Sequence, residues 1–593
     1  MILMLGKIID FFKKRPGLVL LMAILSIITV VNIKPDFYLL GWDNYSSYFN
    51  LKTNIFRTFF STWREYRGLG VPSDSESTDL FRQLFFLILS PFFKANLFDQ
   101  IFSLFSFNLG ILLIYGLSKK IFKDVFNNEK KLDLLCLSAG IFYIFNLNTL
   151  ATFYFPMIMY VNRFYTVPLL FYIFIDLIKT KLTWKKICIY SLLIIFSSGT
   201  YMTATIFITI LVSLGIFVLI QSQNLKKSII FILFFVLLNS FWLFPFINYT
   251  ISKSGIVYQA PTFIDANEIQ LNKPASFYNL QKQLILYPNF FDTTVSSFDG
   301  SQSTGIHPLS NLFDKFPYNF VLAIFPLFYL SGAILLFFKF KTFKKLFWIS
   351  LLILLYLFLS LKAFSPLGFI YIFLEKTIPF FGSLFRFGDT KFHYFISFAG
   401  SLSAGFFAVK IIERLNRRNT ILLFGTLLTV LIIVFSSYFN SHFFGFFDLN
   451  KLPDAYFQVA TMINSDQEDF RVLHLPFNQD RYWRSYNWGY LGSSFFHFLI
   501  NKPLLEKTFE PASQENVELN QEVYDKIVKN SDDLYYLLKK TGVKYIIFDE
   551  TVSPQMTTKG LGEWGTYNYF ESQQALEKLE SEGLISKKAV YNF

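Results

Sequence analysis

The segment Gly41-Trp42-Asp43-Asn44-Tyr45 follows the apolar run from Leu18 to Val31 and contains one aspartate, Asp43. A carboxylate is a residue type that general base catalysis can use. A carboxylate at this position lies near a bilayer surface, where it could remove the proton of a substrate hydroxyl. In a semi-buried site its pKa would rise toward the useful range. We therefore predict that Asp43 is a catalytic base. A solvated loop aspartate, or a cap for the following helix, is the simpler alternative.

Four basic side chains lie at helix ends where the positive-inside rule does not expect them. They are Arg163, Arg386, Lys391 and His393. An arginine fork and a lysine could hold a phosphate and stabilise the charge that develops on it as it leaves. We predict that all four bind a donor phosphate. Contact with lipid headgroups is the alternative for each of them.

Aromatic and amide side chains of the first polar loop could contact a sugar or its acceptor. The candidates are Trp42, Asn44, Tyr45 and Trp63. Aromatic rings can stack on sugar faces, but the same residue types form the aromatic belt of membrane proteins. We predict sugar or acceptor contact, with the belt as the alternative.

A second acidic group follows in the same loop and consists of Asp74, Glu76 and Asp79. Carboxylates at this spacing can ligate a hard divalent cation together with Asp43. A polar loop rich in serine and aspartate has the same pattern without a metal. We predict no obligatory cofactor and keep a divalent cation as the alternative.

Transmembrane helices must position these residues. The chain has 593 residues, of which 53% are hydrophobic and 16% are charged, and its mean hydropathy is +0.42. So much apolar surface exceeds what one soluble core could bury. The net charge of +13 lies mainly in short connectors between apolar runs. That distribution is the positive-inside pattern and argues against a nucleic-acid partner.

Apolar runs of about 20 residues predict roughly eleven transmembrane helices. The predicted spans are 17–33, 97–118, 132–147, 164–178, 186–198, 201–221, 228–250, 318–338, 346–362, 390–410 and 419–438. With Lys13, Lys14 and Arg15 inside, every basic connector falls on the cytoplasmic side of one alternation. We predict an integral plasma (inner) membrane protein with a cytoplasmic N-terminus and an extracytoplasmic C-terminus.

Outer regions 34–96 and 251–317, and the tail from residue 440, are too long to be simple turns. In the tail, helical spacing alternates with strand patterns. The helical stretches are 452–463, 532–540 and 570–582, and the strand stretches are 471–476 and 542–548. This alternation predicts a small extracytoplasmic α/β domain over 440–593. It would follow a polytopic α-helical transmembrane domain over 1–439.

Several short motifs carry a resemblance to a known family. The first loop contains Gly41-Trp42-Asp43-Asn44, then Leu51-Lys52-Thr53-Asn54, then Trp63 ahead of Gly68-Leu69-Gly70. Later motifs are Phe385-Arg386-Phe387 before a span of small residues, Leu475-Pro476, and Gly542-Val543-Lys544-Tyr545-Ile546. The chain resembles the C-type (GT-C) membrane glycosyltransferases, especially the arabinofuranosyltransferase D-like branch and the related YfhO-like proteins. The resemblance implies a GT-C fold, a polyprenyl-phosphate-linked sugar donor, and catalysis by the first-loop aspartate, which matches Asp43.

The function that we expect is therefore inverting transfer of a sugar from a polyprenyl-phosphate donor to a glycan or lipid acceptor of a bacterial cell envelope. Its partners would be the lipid-linked donor, the glycan or glycolipid acceptor and membrane lipids. A transporter or flippase of lipid-linked saccharides is the alternative, although it would favour charged mid-membrane helices and repeated halves. A non-catalytic scaffold of the same fold is a further alternative.

The predicted topology determines where a fused reporter works. A reporter that is active only outside the cytoplasm should be active when fused after Phe593, and silent when inserted between Lys226 and Lys227, because basic connectors stay inside. Reporter activity in intact cells measures this. Activity of a cytoplasm-only reporter after Phe593 would contradict both the alternation and the catalytic scheme.

Overall fold

The computed structural model is mainly helical, as expected. It describes residues 15–60, 62–73, 75–221, 225–259, 280–288, 291, 294–296, 303–305, 315, 318–378, 381–385, 388–445, 449–477, 483–506, 513–552, 556–559, 562–564 and 567–591. The helices are α1 Pro16–Asn32, α2 Leu51–Phe59, α3 Leu80–Leu89, α4 Phe98–Phe122, α5 Glu129–Ile144, α6 Leu147–Tyr154, α7 Ile158–Lys179, α8 Trp184–Phe196, α9 Thr205–Gln221, α10 Leu225–Leu238, α11 Ser240–Gln259, α12 Leu280–Leu284, α13 Tyr318–Phe338, α14 Phe340–Phe343, α15 Phe347–Leu361, α16 Gly368–Thr377, α17 Phe381–Leu384, α18 Gly388–Ile412, α19 Arg417–Val434, α20 Asp454–Ser465, α21 Gln514–Val528, α22 Leu534–Lys540 and α23 Tyr569–Ser581. The strands are β1 Tyr38–Leu39, β2 Trp63–Arg64, β3 Val71–Pro72, β4 Thr294–Ser296, β5 Ser303–Gly305, β6 Leu449–Asn450, β7 Arg471–Leu475, β8 Trp483–Ser485, β9 Leu491–Ser493, β10 Leu504–Leu505, β11 Val543–Phe548, β12 Met556–Lys559 and β13 Gly562–Trp564.

Each of the predicted spans overlaps a helix of the structure. Within the described ranges, 4 helices are long and apolar enough to cross a membrane, and two bent helix pairs raise this number to 6. The long ones are Ala95–Phe122, Ile158–Lys179, Lys341–Phe364 and Gly388–Ile412. Shorter apolar helices lie at Pro16–Asn32, Thr205–Gln221, Leu322–Phe338 and Arg418–Val434. The chain is therefore an α-helical membrane protein.

The predicted span 228–250 is not one straight helix, because α10 and α11 meet at an angle of 72°. The side chain of Asn239, at the junction, donates to the Phe235 carbonyl at 2.8 Å and accepts from the Trp242 indole at 2.9 Å. An asparagine that bonds its own helix competes with the regular main-chain pattern and favours a break. Asn146 lies at the 53° break between α5 and α6, where it caps the main-chain nitrogen of Thr149 at 3.0 Å.

Helix α18 packs against α5, α13 and α15 in the membrane part. Small residues make these approaches close. A Cβ on Gly405 of α18 would lie 2.7 Å from the Leu135 carbonyl oxygen of α5, and one on Gly332 of α13 would lie 2.2 Å from the carbonyl oxygen of Ser403. Small side chains let helix backbones approach closely in membranes. Helix α18 is therefore held closely by three neighbouring helices.

The tail contains a three-stranded parallel sheet in the order β10-β7-β11. The predicted strands correspond to β7 and β11. Apolar residues of α21, α22 and α23 share a core with this sheet, including Val523, Leu538 and Leu579. Strand β10 and helix α21 were not predicted, because β10 has two residues and α21 is mostly polar.

Main-chain pairs join the first loop to the tail. Strand β1 pairs antiparallel with β6, with Tyr38 opposite Asn450. The Trp42 N–H donates to the Leu491 carbonyl at 2.8 Å, and the Trp42 carbonyl accepts from the Ser493 N–H at 2.8 Å. These bonds satisfy main-chain donors and acceptors of both segments. The first loop and the tail strand β9 therefore form one hydrogen-bonded unit.

Helix α11 continues through Gln259 and so extends past residue 251, where the second outer loop is predicted to begin. The loop boundary itself stays a prediction. Strand β4 of this loop pairs antiparallel with β12 of the tail, with Val295 opposite Thr558. Residues 260–279 lie outside the described residues. The tail thus shares a sheet with the second loop as well as with the first.

Glu506, which follows β10, lies in a buried charge cluster beside the first loop. Its carboxylate is 3.2 Å from His474 Nδ1, 3.6 Å from Arg484 Nη2 and 3.8 Å from His497 Nδ1. Burial opposes its ionisation, but hydrogen bonds from both histidines and the charge of Arg484 hold the pKa of Glu506 below its usual value. Arg57 of α2 donates to the main-chain carbonyl of His497 at 3.0 Å. Charged groups therefore connect the loop to the tail a second time.

Gly492→Ala should destabilise the protein. The added Cβ would lie 2.4 Å from the main-chain nitrogen and oxygen of Trp42, and overpacking of this kind costs about 1–3 kcal/mol. The midpoint of thermal unfolding in detergent should fall. Gly215→Ala is the matched control, because a Cβ there meets nothing within 4 Å. Equal midpoints for the two variants would contradict the close pairing of Trp42 with β9.

Candidate functional site

Asp43 lies in the turn directly after the main-chain pairing of Trp42 with β9. Its Oδ1 accepts a hydrogen bond from Ser493 Oγ at 2.7 Å, and its side chain is half-buried. Trp42 has a φ of 53°, a left-handed conformation that a bulky residue keeps only when its surroundings impose it. The carboxylate is therefore held by a tail strand and does not hang in a solvated loop.

Asn44 connects the same turn to helix α7. Its Oδ1 accepts from the main-chain nitrogen of Ile158 at 3.0 Å and so satisfies one of the helix's N-terminal donors. The Trp42 ring packs edge-on against Phe155 at 4.9 Å and is only 6% exposed. These two residues hold the loop against the start of α7, and their predicted sugar contact stays a prediction.

Tyr45 and Trp63 complete the predicted sugar-contacting set. The Tyr45 ring lies 5.7 Å from the Phe498 ring of the tail. Trp63 is 52% exposed in the β2–β3 hairpin, and its indole lies 2.5 Å from where a Cβ of Gly70 would be. The structure thus places Tyr45 at the boundary between loop and tail, and Trp63 on its own hairpin.

Arg163 lies in the second turn of α7 and is 0% exposed. Its Nη1 donates to the main-chain carbonyl of Thr390 in α18, and its guanidinium lies 4.6 Å from the Tyr160 ring and 5.1 Å from the Tyr394 ring. Among the residues that the structure describes, its Nε and Nη2 have no hydrogen-bond partner. Within the described residues, only tyrosines act electrostatically on it. A buried cation with two unused donors favours binding of an anion.

Tyr160 links Asp43 to Arg163. The Thr390 side chain forms a hydrogen bond with its hydroxyl, and the charges of Asp43, Arg163 and Asp389 all act on it. Asp389 is 5% exposed in the first turn of α18. The first loop, the start of α7 and the start of α18 therefore meet at one place. We call Asp43, Tyr160, Arg163, Asp389 and Thr390 the Tyr160 cluster.

Lys391 and His393 extend this region along α18. They are 6% and 1% exposed, respectively. His393 Nε2 lies 2.6 Å from Oε1 of Gln283, a residue of α12 in the second outer loop, and Asp389 acts on the same imidazole. Arg386 lies outside the described residues, so its predicted phosphate contact stays a prediction. Lys391 and His393, two of the four predicted cations, thus lie at the same end of α18 as the Thr390 carbonyl that Arg163 binds.

The acidic residues considered as weak metal ligands are engaged by arginines. Glu76 lies 2.6 Å from Arg64 Nε, Asp79 lies 2.6 Å from Arg82 Nε, and all four side chains are buried. These carboxylates anchor the loop. Asp74 lies outside the described residues. In the part of the chain that the structure describes, no group of three His, Cys, Asp or Glu residues could hold a metal ion.

Several residues of the site had no local sequence signal. Ser493 is 450 positions from the aspartate that it contacts, and Tyr160 is one of 33 tyrosines. Gln283 lies in a long loop whose polar residues look alike. Asp389 offered a readable signal, because it stands between two of the basic residues that the sequence singled out, Arg386 and Lys391.

The Tyr160 cluster combines two chemical abilities at one end of α7. A carboxylate that accepts one hydrogen bond from Ser493 can also take up a proton. A buried guanidinium with two unused N–H groups can bind an oxyanion bidentately. Proton removal and anion stabilisation at neighbouring positions are the requirements for a hydroxyl that displaces a phosphate.

Arg163→Met should leave the stability unchanged or raise it. The change removes a buried charge that no described carboxylate offsets, and with it the desolvation cost of keeping that charge in the protein interior. Arg82→Met is the matched control. Arg82 is equally buried but lies 2.6 Å from both Asp79 and Asp99, so its loss should cost about 3–5 kcal/mol. Thermal midpoints compare the two variants, and a large loss in Arg163→Met would make Arg163 a structural residue.

No protein-family model matches the sequence, and no curated protein matches it. Among solved structures, the chain is similar to "Single-Particle Cryo-EM Structure of Arabinofuranosyltransferase AftD from Mycobacteria", with a TM-score of 0.57 and 12% identity over 95% of this chain and 37% of that chain. A structure of a mutant of that enzyme gives a TM-score of 0.52 and 11% identity over 91% of this chain and 37% of that chain. The chain thus spans 37% of the length of the enzyme that it matches. At this identity the likeness concerns the fold, and the protein has the GT-C-like fold that its first-loop motifs predict.

Proposed function

We propose that this protein is a membrane glycosyltransferase that moves a sugar from a polyprenyl-phosphate donor to a cell-envelope glycan or lipid acceptor on the outer face. The observation that carries the proposal is the contact of the first loop with the start of α7, where Asn44, next to Asp43, accepts from the Ile158 N–H at 3.0 Å and the buried Arg163 lies 4.6 Å from the Tyr160 ring. The fold likeness to a protein named as an arabinofuranosyltransferase supports glycosyl transfer in general.

Asp43 is the base in this scheme. It takes the proton of the acceptor hydroxyl while the hydroxyl oxygen attacks the anomeric carbon of the donor sugar. The bond from that carbon to the phosphate oxygen breaks, and polyprenyl phosphate leaves with the electron pair. One displacement inverts the anomeric configuration. The hydrogen bond from Ser493 orients the carboxylate, so Ser493 is a positioning residue contributed by the tail.

Arg163 provides fixed charge for the leaving phosphate. Its unused Nε and Nη2 form the two-pronged donor that binds a phosphate bidentately. Lys391 would add positive charge from the adjoining turn of α18. Because Tyr160 and Tyr394 cover the guanidinium, phosphate binding has to shift at least one of these rings.

Transport of a lipid-linked saccharide is the second candidate function. The 72° bend between α10 and α11 is the observation that favours it, because transporters build substrate sites from broken helices. The two functions differ in their products. Transport moves the donor intact and needs no base, whereas transfer releases free polyprenyl phosphate and requires the Asp43 carboxylate.

Asp43→Asn should abolish transfer while the protein stays folded. Asparagine keeps the size and much of the hydrogen bonding but cannot take the proton, and a general base typically contributes about a hundredfold to ten-thousandfold in rate. The measurement is release of polyprenyl phosphate by purified protein from a panel of polyprenyl-phosphate-linked sugars offered with envelope glycan acceptors.

Asp36→Asn is the matched control, because it makes the same change at an exposed position of the same loop. It should release polyprenyl phosphate at the wild-type rate. Near-normal release by Asp43→Asn would eliminate Asp43 as the base. Movement of intact donor across proteoliposomes that Asp43→Asn leaves unchanged, with no release by the wild type, would favour the transporter.

A further inference from the structure

The end of α7 opposite to the Tyr160 cluster borders a cavity of about 690 Å³. Lys179, which lines the cavity, follows Arg163 by 16 residues in α7, so the two lie about 24 Å apart along the helix at a rise of 1.5 Å per residue. The ends of α4, α7 and α9, the start of α10 and the connector between α13 and α15 enclose it. The predicted topology places it on the cytoplasmic side.

Lysines dominate the polar part of this cavity. Lys179, Lys227, Lys344 and Lys345 line it, and Asp124 is the acid that lines it with them. Four lysines and one aspartate leave a formal charge of +3 among these lining residues. Asp124 lies 3.0 Å from Lys179. The other lining lysines belong to α10 and to the connector between α13 and α15.

The positive-inside rule explains basic connectors but not their convergence on one concavity. The Lys227 ammonium donates to the Thr180 carbonyl at 3.2 Å, and the Gln221 amide donates to the Lys345 carbonyl. These contacts tie the connectors together around the cavity. Nearby, Lys186 lies 2.7 Å from Asp176, and neither residue lines the cavity.

The cavity also has apolar lining residues. Ile121, Ile175, Phe217 and Leu346 are among them. A volume of this size lies in the range of about 300–1,000 Å³ that small-molecule sites occupy. A lining that combines lysines with aliphatic and aromatic side chains matches a ligand that joins a phosphate to hydrocarbon. A free phosphate would use only the lysines.

We propose that this cavity binds the headgroup of an anionic phospholipid, with the phosphate among the lysines and the first acyl methylenes against the apolar lining residues. Basic pockets between transmembrane helices bind anionic lipid headgroups by this chemistry. The bound lipid would bridge the ends of α4, α7, α9 and α10. Because α7 also carries Arg163, a lipid here would support the helix that forms the candidate site without contacting the substrate.

The test uses the full-length protein in a neutral detergent. Native mass spectrometry counts bound dioleoyl phosphatidylglycerol, dioleoyl phosphatidylcholine and inorganic phosphate in separate titrations, and thermal midpoints follow stabilisation by each. We expect one tightly held phosphatidylglycerol and much weaker phosphatidylcholine. The variant Lys227→Gln/Lys345→Gln should raise the Kd for phosphatidylglycerol by about thirtyfold, since each lysine near an anionic headgroup contributes a similar amount of binding free energy.

The matched control is Lys226→Gln/Lys341→Gln, which removes the same charge from the same connectors at exposed residues that do not line the cavity. It should bind phosphatidylglycerol like the wild type. Equal affinity for phosphatidylcholine and phosphatidylglycerol, or equal losses in the two variants, would overturn the proposal. Binding of inorganic phosphate with no retention of phosphatidylglycerol would overturn it too and would make the ligand a free anion.

Discussion

Hydrogen bonds between residues 42–43 and strand β9 determine where the candidate site forms. Trp42 exchanges two main-chain bonds with this strand, and Ser493 of the strand holds the Asp43 carboxylate. Asn44 then caps helix α7, and Arg163 of α7 binds the Thr390 carbonyl of α18. These contacts connect the carboxylate, the buried guanidinium and the start of α18 to the pairing of the loop with the tail.

The buried arginines of the first loop and of the candidate site differ in their partners. Arg64 and Arg82 are held by carboxylates at 2.6 Å and stabilise the first loop. Breaking such a pair leaves an uncompensated charge and is strongly destabilising. Arg163 instead lies beside the rings of Tyr160 and Tyr394, and within the described residues two of its N–H groups have no hydrogen-bond partner. Unpaired buried charge lowers stability, so its retention at the Tyr160 cluster is better explained by a ligand than by the fold.

Hydropathy predicted the membrane helices because burial in lipid requires long apolar runs, and the alternation in the tail predicted β7 and β11. The break at Asn239 was not predicted, since one polar residue in an apolar run looks the same whether or not its side chain bonds the helix.

In the candidate site, residue type and position were enough to select Asp43, Arg163, Lys391 and His393. Ser493 and Gln283 could not be selected in this way, because tertiary contact alone brings them there. Glu76 and Asp79 were only weak candidates for metal ligands, and their arginine partners could not be predicted because a sequence does not show which arginine faces which carboxylate.

The pairing of Asp43 with Ser493 also sets a time order during synthesis. Ribosomes add about 5–20 residues per second, so residue 493 follows residue 43 by roughly 20–90 s. Throughout that interval the first loop has already emerged, but the strand that orders its turn has not been made. The polar groups of the loop must stay hydrated until then, and the carboxylate is oriented only when the tail arrives. An incomplete chain therefore lacks an ordered site, however many of its membrane helices have been inserted.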